Sequence, residues 1–190
     1  VEKLDAILFT HPHKDHVAGL DDVRAYNFFT GMPMPVYANE MTQEVSIREF
    51  PYAFSENRYP GVPEIQLNSI ASEPFLIGDI PVQPIEVWHL RMPVLGFRFG
   101  DFTYITDANR IDTDELAKVR GSKLMVVNAL RREPHLSHFT LSEAVTLVQD
   151  IGVPEAYFTH ISHQLGKYAD VSRELPAGIH LAYDGLHLHV

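Results

Sequence analysis

Four side chains able to bind a metal fall within six residues, His11-Pro12-His13-Lys14-Asp15-His16, and they stand between an apolar run and a helical pattern. Asp5-Ala6-Ile7-Leu8-Phe9-Thr10 has the character of a short buried strand. From Asp15, the apolar residues Val17, Leu20, Val23 and Phe28 mark a helix that Asp15 can cap or begin. The run therefore lies at a strand-to-helix turn and not in a polar tail. If the backbone stays extended, His11 and His13 project to one side, because residues two apart share a face. Asp15 and His16 follow where the chain turns, and reach a second place close by. One ion cannot take all four donors in comfortable geometry, so the pattern suits two. Imidazole accommodates zinc, iron and manganese, and carboxylate the harder end of that range.

Beyond the run, Pro35 to Ala38 is predicted as a strand, Thr42 to Phe50 as a helix, and Pro51 to Pro63 as an irregular insertion. The insertion carries Tyr52, Phe54 and Tyr59, which line a substrate pocket or cap a homodimer interface; the residues alone leave both open. Strands are expected at Ile65 to Leu67, Phe75 to Ile77, Val82 to Val87, Gly96 to Phe99, Phe102 to Thr106, Leu124 to Ala129 and Phe158 to Thr159. Gly100-Asp101 reads as a hairpin turn, and so does Asp184-Gly185, between Ile179 to Tyr183 and Leu186 to Val190. Thr113 to Val119 and Leu141 to Gln149 read as helices. Runs of strands, then strands alternating with helices, predict a layered α/β domain spanning residues 1–190.

With 25 acidic residues against 15 basic, the formal charge is −10, which speaks against an electrostatic grip on long nucleic acid. That argument is softened if two dications sit in the pocket. No cysteine is present, so this chain forms no disulfide and no thiolate metal site. A cytoplasmic location is expected on that ground, and no apolar run approaches the ~18 residues of a membrane span. The chain opens on Val1, not Met, and reaches a strand almost at once, so an N-terminal portion is expected to be missing. His180, His187 and His189 alternate and suggest an exposed face. Arg98, Arg110, Arg131 and Arg132 are candidate phosphate partners, of which at most one is expected to serve.

The histidine run resembles the His-x-His-x-Asp-His signature of metallo-β-lactamase-fold hydrolases, and further segments match in that family's order. Val87-Trp88-His89, Tyr104-Ile105-Thr106-Asp107-Ala108 and Phe158-Thr159-His160 correspond to its remaining ligand segments. The resemblance implies an αββα sandwich, here lacking its N-terminal strands. It further implies that His11, His13 and His89 hold one metal, that Asp15, His16 and His160 hold the other, and that Asp107 is shared. A carboxylate can bridge two cations and offset their repulsion, so that water between them ionises near neutral pH. The lactam-cleaving branch often has a cysteine ligand, and the electron-transfer branch replaces the second histidine of the motif with a carboxylate. This chain does neither, which points towards hydrolysis.

A finer likeness lies in Thr159-His160-Ile161-Ser162-His163-Gln164, which resembles a segment of the phosphoribosyl 1,2-cyclic phosphate phosphodiesterase (PhnP-like) subfamily. In Pro134-His135-Leu136-Ser137-His138-Phe139, aligned on the following helix, His138 matches an active-site histidine that protonates the leaving alkoxide or orients the phosphate. His163 matches a ligand to a structural zinc completed by N-terminal cysteines; without cysteine that zinc cannot form in this chain. The expectation is a dinuclear hydrolase using manganese or zinc, or iron, on a small cyclic or nucleotide-like phosphate diester. A tRNA-processing ribonuclease and a thioesterase or glyoxalase-like ester hydrolase remain the alternatives.

Overall fold

The computed structural model describes residues 3–190; Val1, on which the expectation of a missing N-terminal portion rests, lies outside them. Its contacts gather into two compact units, residues 1–73 and 74–190. The first unit contains a three-stranded parallel sheet of β1 (Ile7–Leu8), β2 (Met34–Ala38) and β3 (Ile65–Ser69). Between β1 and β2 the chain forms α1 (Lys14–Val17), a tighter 3-10 stretch (Ala18–Val23) and α2 (Arg24–Thr30), where one continuous helix was expected. The break has a packing reason. Val17, Leu20 and Val23 are spaced by three, which a helix of three residues per turn places on one face, and all three are buried. They join Phe9, Val36 and Phe50 in this unit's own core. α3 (Glu40–Glu49) begins at Asn39, whose side chain accepts the Thr42 amide, and α4 (Pro51–Phe54) opens the segment expected to be irregular.

In the second unit, β4 (Phe75–Ile77), β5 (Ile80–His89), β6 (Met92–Phe99) and β7 (Phe102–Tyr104) are antiparallel neighbours. β9 (Leu124–Asn128), β10 (Glu155–Thr159) and β11 (Ile179–Leu181) extend the sheet in parallel from β7, and β8 (Arg110–Ile111) pairs with β5. The β6–β7 turn is Gly100-Asp101, with Gly100 at φ 57°, as its sequence led one to expect. Gly96 keeps β6 close to the segment beyond β7, since a Cβ there would lie 2.8 Å from Ile105 Cγ1 and 3.0 Å from the Tyr104 carbonyl oxygen. α5 (Thr113–Val119), α6 (Leu141–Ile151) and α7 (Tyr168–Glu174) complete the unit. α6 starts in a capping box: Thr140 accepts the Glu143 amide, and Glu143 returns to the Thr140 amide. Ile85, Val87, Ile105, Val127, Ala144 and Phe158 lie in its core.

The expected C-terminal hairpin does not form. β11 ends at Leu181, and no strand follows the Asp184-Gly185 turn. β10 already satisfies β11, while Leu186 and Leu188 are only half-buried and His187 and His189 are exposed. Too little apolar burial remains there to offset the ordering of another strand.

Candidate metal centre

Strand direction decides where the donors of the second unit meet. β7, β9 and β10 run parallel; β6 opposes β7, and β5 opposes β6, so β5 points the same way as β7. His89 ends β5, Asp107 lies just past β7, Asn128 ends β9 and His160 follows β10. All four therefore gather at the C-terminal edge of one sheet, where α/β sheets commonly bind ligands. Alternation along β5 puts His89 on the face of Val87 and Ile85, both buried, while Trp88 turns away and donates its Nε1–H to Asp112 at 2.9 Å.

His138 reaches the same place through the backbone. The Phe139 amide donates to the Ala108 carbonyl at 2.7 Å, which draws the residue before Phe139 alongside Asp107. His89, Asp107 and His138 offer ligand atoms that all lie within 4.8 Å of one another. Asp107 Oδ1 is 3.4 Å from His160 Nε2 and 3.9 Å from His138 Nδ1, while Oδ2 accepts the Thr106 hydroxyl at 2.6 Å. The His138 ring lies 4.5 Å from His89, 4.7 Å from His160 and 5.0 Å from the exposed His135, between centroids. Three imidazoles, those of His89, His138 and His160, thus stand around one buried carboxylate, with His135 beyond them.

Several features orient this group in advance. Asp107 and His160 both hold left-handed backbone, φ 54° and 55°, a conformation uncommon outside glycine and concentrated at functional sites. Asn128 holds the turn after Asp107: its Oδ1 accepts the Ala108 amide at 2.8 Å and its Nδ2 donates to the Ala108 carbonyl at 2.9 Å. His89 Nδ1 sits 3.0 Å from the Ser137 carbonyl, so Nδ1 carries the hydrogen and Nε2 is left as the ligand atom. His138 Nδ1 is buried with no hydrogen-bond partner. Burial lowers the His138 pKa to about 4, helped by the neighbouring histidines and opposed by Asp107, so its ring is neutral at pH 7. A neutral imidazole nitrogen in this position can accept a hydrogen bond or coordinate a cation.

The first unit presents the other donors. Pro12 disfavours helical backbone at His11, and His13 is extended, with φ −62° and ψ 145°, at the residue before α1. The His16 and Val17 amides both donate to the His13 carbonyl, so the chain turns where the sequence implied. His11 Nε2 and His13 Nδ1 are 3.1 Å apart, and the His11 and His16 rings are 4.1 Å apart. Thr10 Oγ1 meets His11 Nδ1 at 2.9 Å, and Asp15 Oδ2 is 3.5 Å from His16 Nε2. All four expected donors of the run are thus clustered.

Other candidates do not join a cluster. His163 is exposed, and no candidate metal group of the described residues includes it. Each of the four arginines has local partners. Arg98 donates to the carbonyls of Gly100, Lys118 and Arg120, and Arg110 pairs with Asp112 over the Trp88 ring. Arg131 binds the Glu133 and Pro134 carbonyls and Gln164, and Arg132 pairs with Glu174. Sequence reasoning missed Asn128 and Thr106. Their signal was a polar residue closing an otherwise apolar strand, which gains meaning only once its neighbours are known.

The β-lactamase superfamily domain model matches residues 1–161, and the chain belongs to that superfamily. Within it the likeness is to the PhnP family. A diphosphatase of that family has a solved structure 36% identical to this chain, with TM-score 0.91, aligned over 100% of this chain and 73% of that one. Two more distant structures share the fold. Zn2+-bound PqqB from Methylobacterium extorquens is 20% identical at TM-score 0.75, over 100% of this chain and 76% of its own. Human tRNase Z, short form, is 18% identical at TM-score 0.68, over 96% of this chain and 77% of its own. The octanoyltransferase of Porphyromonas gingivalis is 36% identical over 189 residues, 98% of this chain, and the chain spans 38% of its length. The expected metallo-β-lactamase fold stands on these matches.

Proposed function

We propose that the chain is a two-metal hydrolase of small phosphate esters, with a diester or diphosphate linkage as the bond cleaved. The observation that carries this reading is the convergence of His89, His138 and His160 on the buried Asp107. Nitrogen and carboxylate donors in this mixture suit zinc, manganese or iron. The motif order assigns His11, His13 and His89 to one cation, Asp15, His16 and His160 to the other, and Asp107 to both; that assignment rests on the resemblance. When bound, such cations acidify water and neutralise charge on a phosphoryl oxygen.

The chain's own residues supply the rest. Thr106 and Asn128 hold the Asp107 carboxylate and the turn beneath it, so its oxygens need not reorganise. Ser137 fixes the His89 tautomer. His138 is placed to carry a proton to the leaving oxygen or to orient the phosphate. The solved diphosphatase of the PhnP family supports a phosphorus substrate. The P. gingivalis relative is named for acyl transfer, and this chain spans only 38% of its length.

The test is hydrolysis of bis(p-nitrophenyl) phosphate, of a phosphoribosyl 1,2-cyclic phosphate and of an acyl thioester by protein loaded with manganese or zinc. Phosphate ester turnover should fall at least a hundredfold in Asp107→Ala, since even partners behind a metal ligand cost about 10- to 100-fold. Thioester cleavage without phosphate ester cleavage would replace this reading with an ester hydrolase.

A further inference from the structure

Past His160 the C-terminal edge of the second unit's sheet continues by one strand. β11 pairs with β10 in parallel, Leu181 beside Phe158, and the Ala182 amide donates to the Phe158 carbonyl at 2.8 Å. That register brings Tyr183 and Asp184 level with His160 and Ile161. Together with Thr159 and Ala182 these residues line a cavity of about 290 Å³. Its size is near the lower limit of small-molecule sites, which admits one sugar ring and part of a base but no folded RNA.

The turn does not account for the chemistry of this wall. It is closed by the Leu186 amide on the Tyr183 carbonyl at 3.1 Å, and Gly185 supplies the left-handed backbone at φ 87°. The Asp184 carboxylate takes no part in it and has no hydrogen bond or ion pair among the described residues. Beside it Tyr183 is 57% exposed, its ring steadied edge-on by Tyr168 at 6.2 Å between centroids. A carboxylate here repels a phosphate but accepts hydroxyl hydrogens, and its two oxygens match a vicinal diol. An exposed aromatic face beside it suits a planar ring.

We propose that this cavity is a nucleoside subsite: Asp184 holds the vicinal ribose hydroxyls, the base packs against Tyr183, and the phosphate extends towards His160. The proposal rests on the phosphoesterase reading for the bond cleaved, but its contacts are independent of the metals. The probes are adenosine 5′-monophosphate and its 2′,3′-dideoxy analogue, titrated calorimetrically into metal-loaded and metal-free protein. Wild type should favour the ribonucleotide about tenfold or more, as hydrogen bonds to a charged group imply. Asp184→Asn, with an unchanged circular dichroism spectrum, should bring the two within about twofold of each other, since an amide forms weaker bonds than a carboxylate. Tyr183→Ala should weaken both about tenfold, the usual effect of losing a stacking ring.

Equal binding of the two nucleotides by wild type, or a preference unchanged in Asp184→Asn, overturns the subsite. Wild-type hydrolysis of bis(p-nitrophenyl) phosphate is scored separately. Cleavage with no diol preference refutes the subsite alone, while a diol preference with no cleavage of any phosphate ester refutes the proposed function alone.

Discussion

Asn128 is fully buried, and both ends of its amide are committed to a single residue, Ala108. A backbone amide and carbonyl would be orphaned together if that side chain were lost, and Asp107 precedes them directly. Asn128→Ala should therefore cost about 2–4 kcal/mol of stability, the desolvation of two buried groups. It should also lower kcat/KM roughly 10- to 100-fold, as loss of a group that orients a ligand does. Urea unfolding and steady-state kinetics measure the two effects. A stability loss with full activity in the folded fraction would reduce Asn128 to a packing residue. The left-handed backbone of Asp107 and His160 belongs to the same scale, and Asn128 holds the turn that follows Asp107.

Elements in the first unit are joined by polar clasps as well as by apolar packing. Tyr52 of α4 donates its hydroxyl to Asp21 Oδ1 in the 3-10 stretch at 2.6 Å. That bond favours the neutral phenol, and its pKa is pushed up to about 12, with burial and the charge of Asp21 adding to the effect. The folded pKa lies above the unfolded one, so the contribution is fully present below pH ~10 and is lost as pH rises through about 12. An absorbance titration of phenolate should therefore show a late-ionising tyrosine that disappears in Tyr52→Phe. The same titration curve for both proteins, after allowing for one fewer tyrosine of ordinary pKa, would show that α4 is not clasped in this way. In the second unit, Gly178 has φ 80° and no room for a Cβ against the Pro154 carbonyl, so close passage there sets where β11 joins β10.

For the whole molecule, the formal charge of −10 and the proposed phosphate substrate are mutually repulsive unless cations intervene. Cations that bind the folded chain and not the unfolded one also stabilise it by mass action. At a hundredfold excess over Kd this is about 2.7 kcal/mol per site, or roughly 5–10 °C in Tm for a protein of this size. A chelator should therefore lower Tm by at least that interval, and manganese or zinc should restore it, while calcium, which prefers an all-oxygen site, should not. Identical melting with and without chelator would remove the metal centre from the account. Among the described residues no helix is long and apolar enough to cross a membrane.

Most elements were legible in the sequence because apolar spacing encodes burial locally. α5 spans Thr113–Val119 as expected, and the expected Leu124–Ala129 strand appears as β9, Leu124–Asn128. The candidate donors and their order were legible too, since residue chemistry and spacing are properties of the chain itself. Segments whose fate depends on a distant partner were not. α7 and β8 were missed, and the last five residues were taken for a strand that nothing buries. The role of Asn128 was equally hidden, because its meaning lies in Ala108, 20 residues away. By itself the sequence determined which donors exist and on which kind of element each sits. Only the tertiary structure decided that His138 meets Asp107, that Asn128 holds the turn beside it, and that Asp184 faces a cavity next to His160. Those outcomes depend on strand order and register, which join residues far apart along the chain.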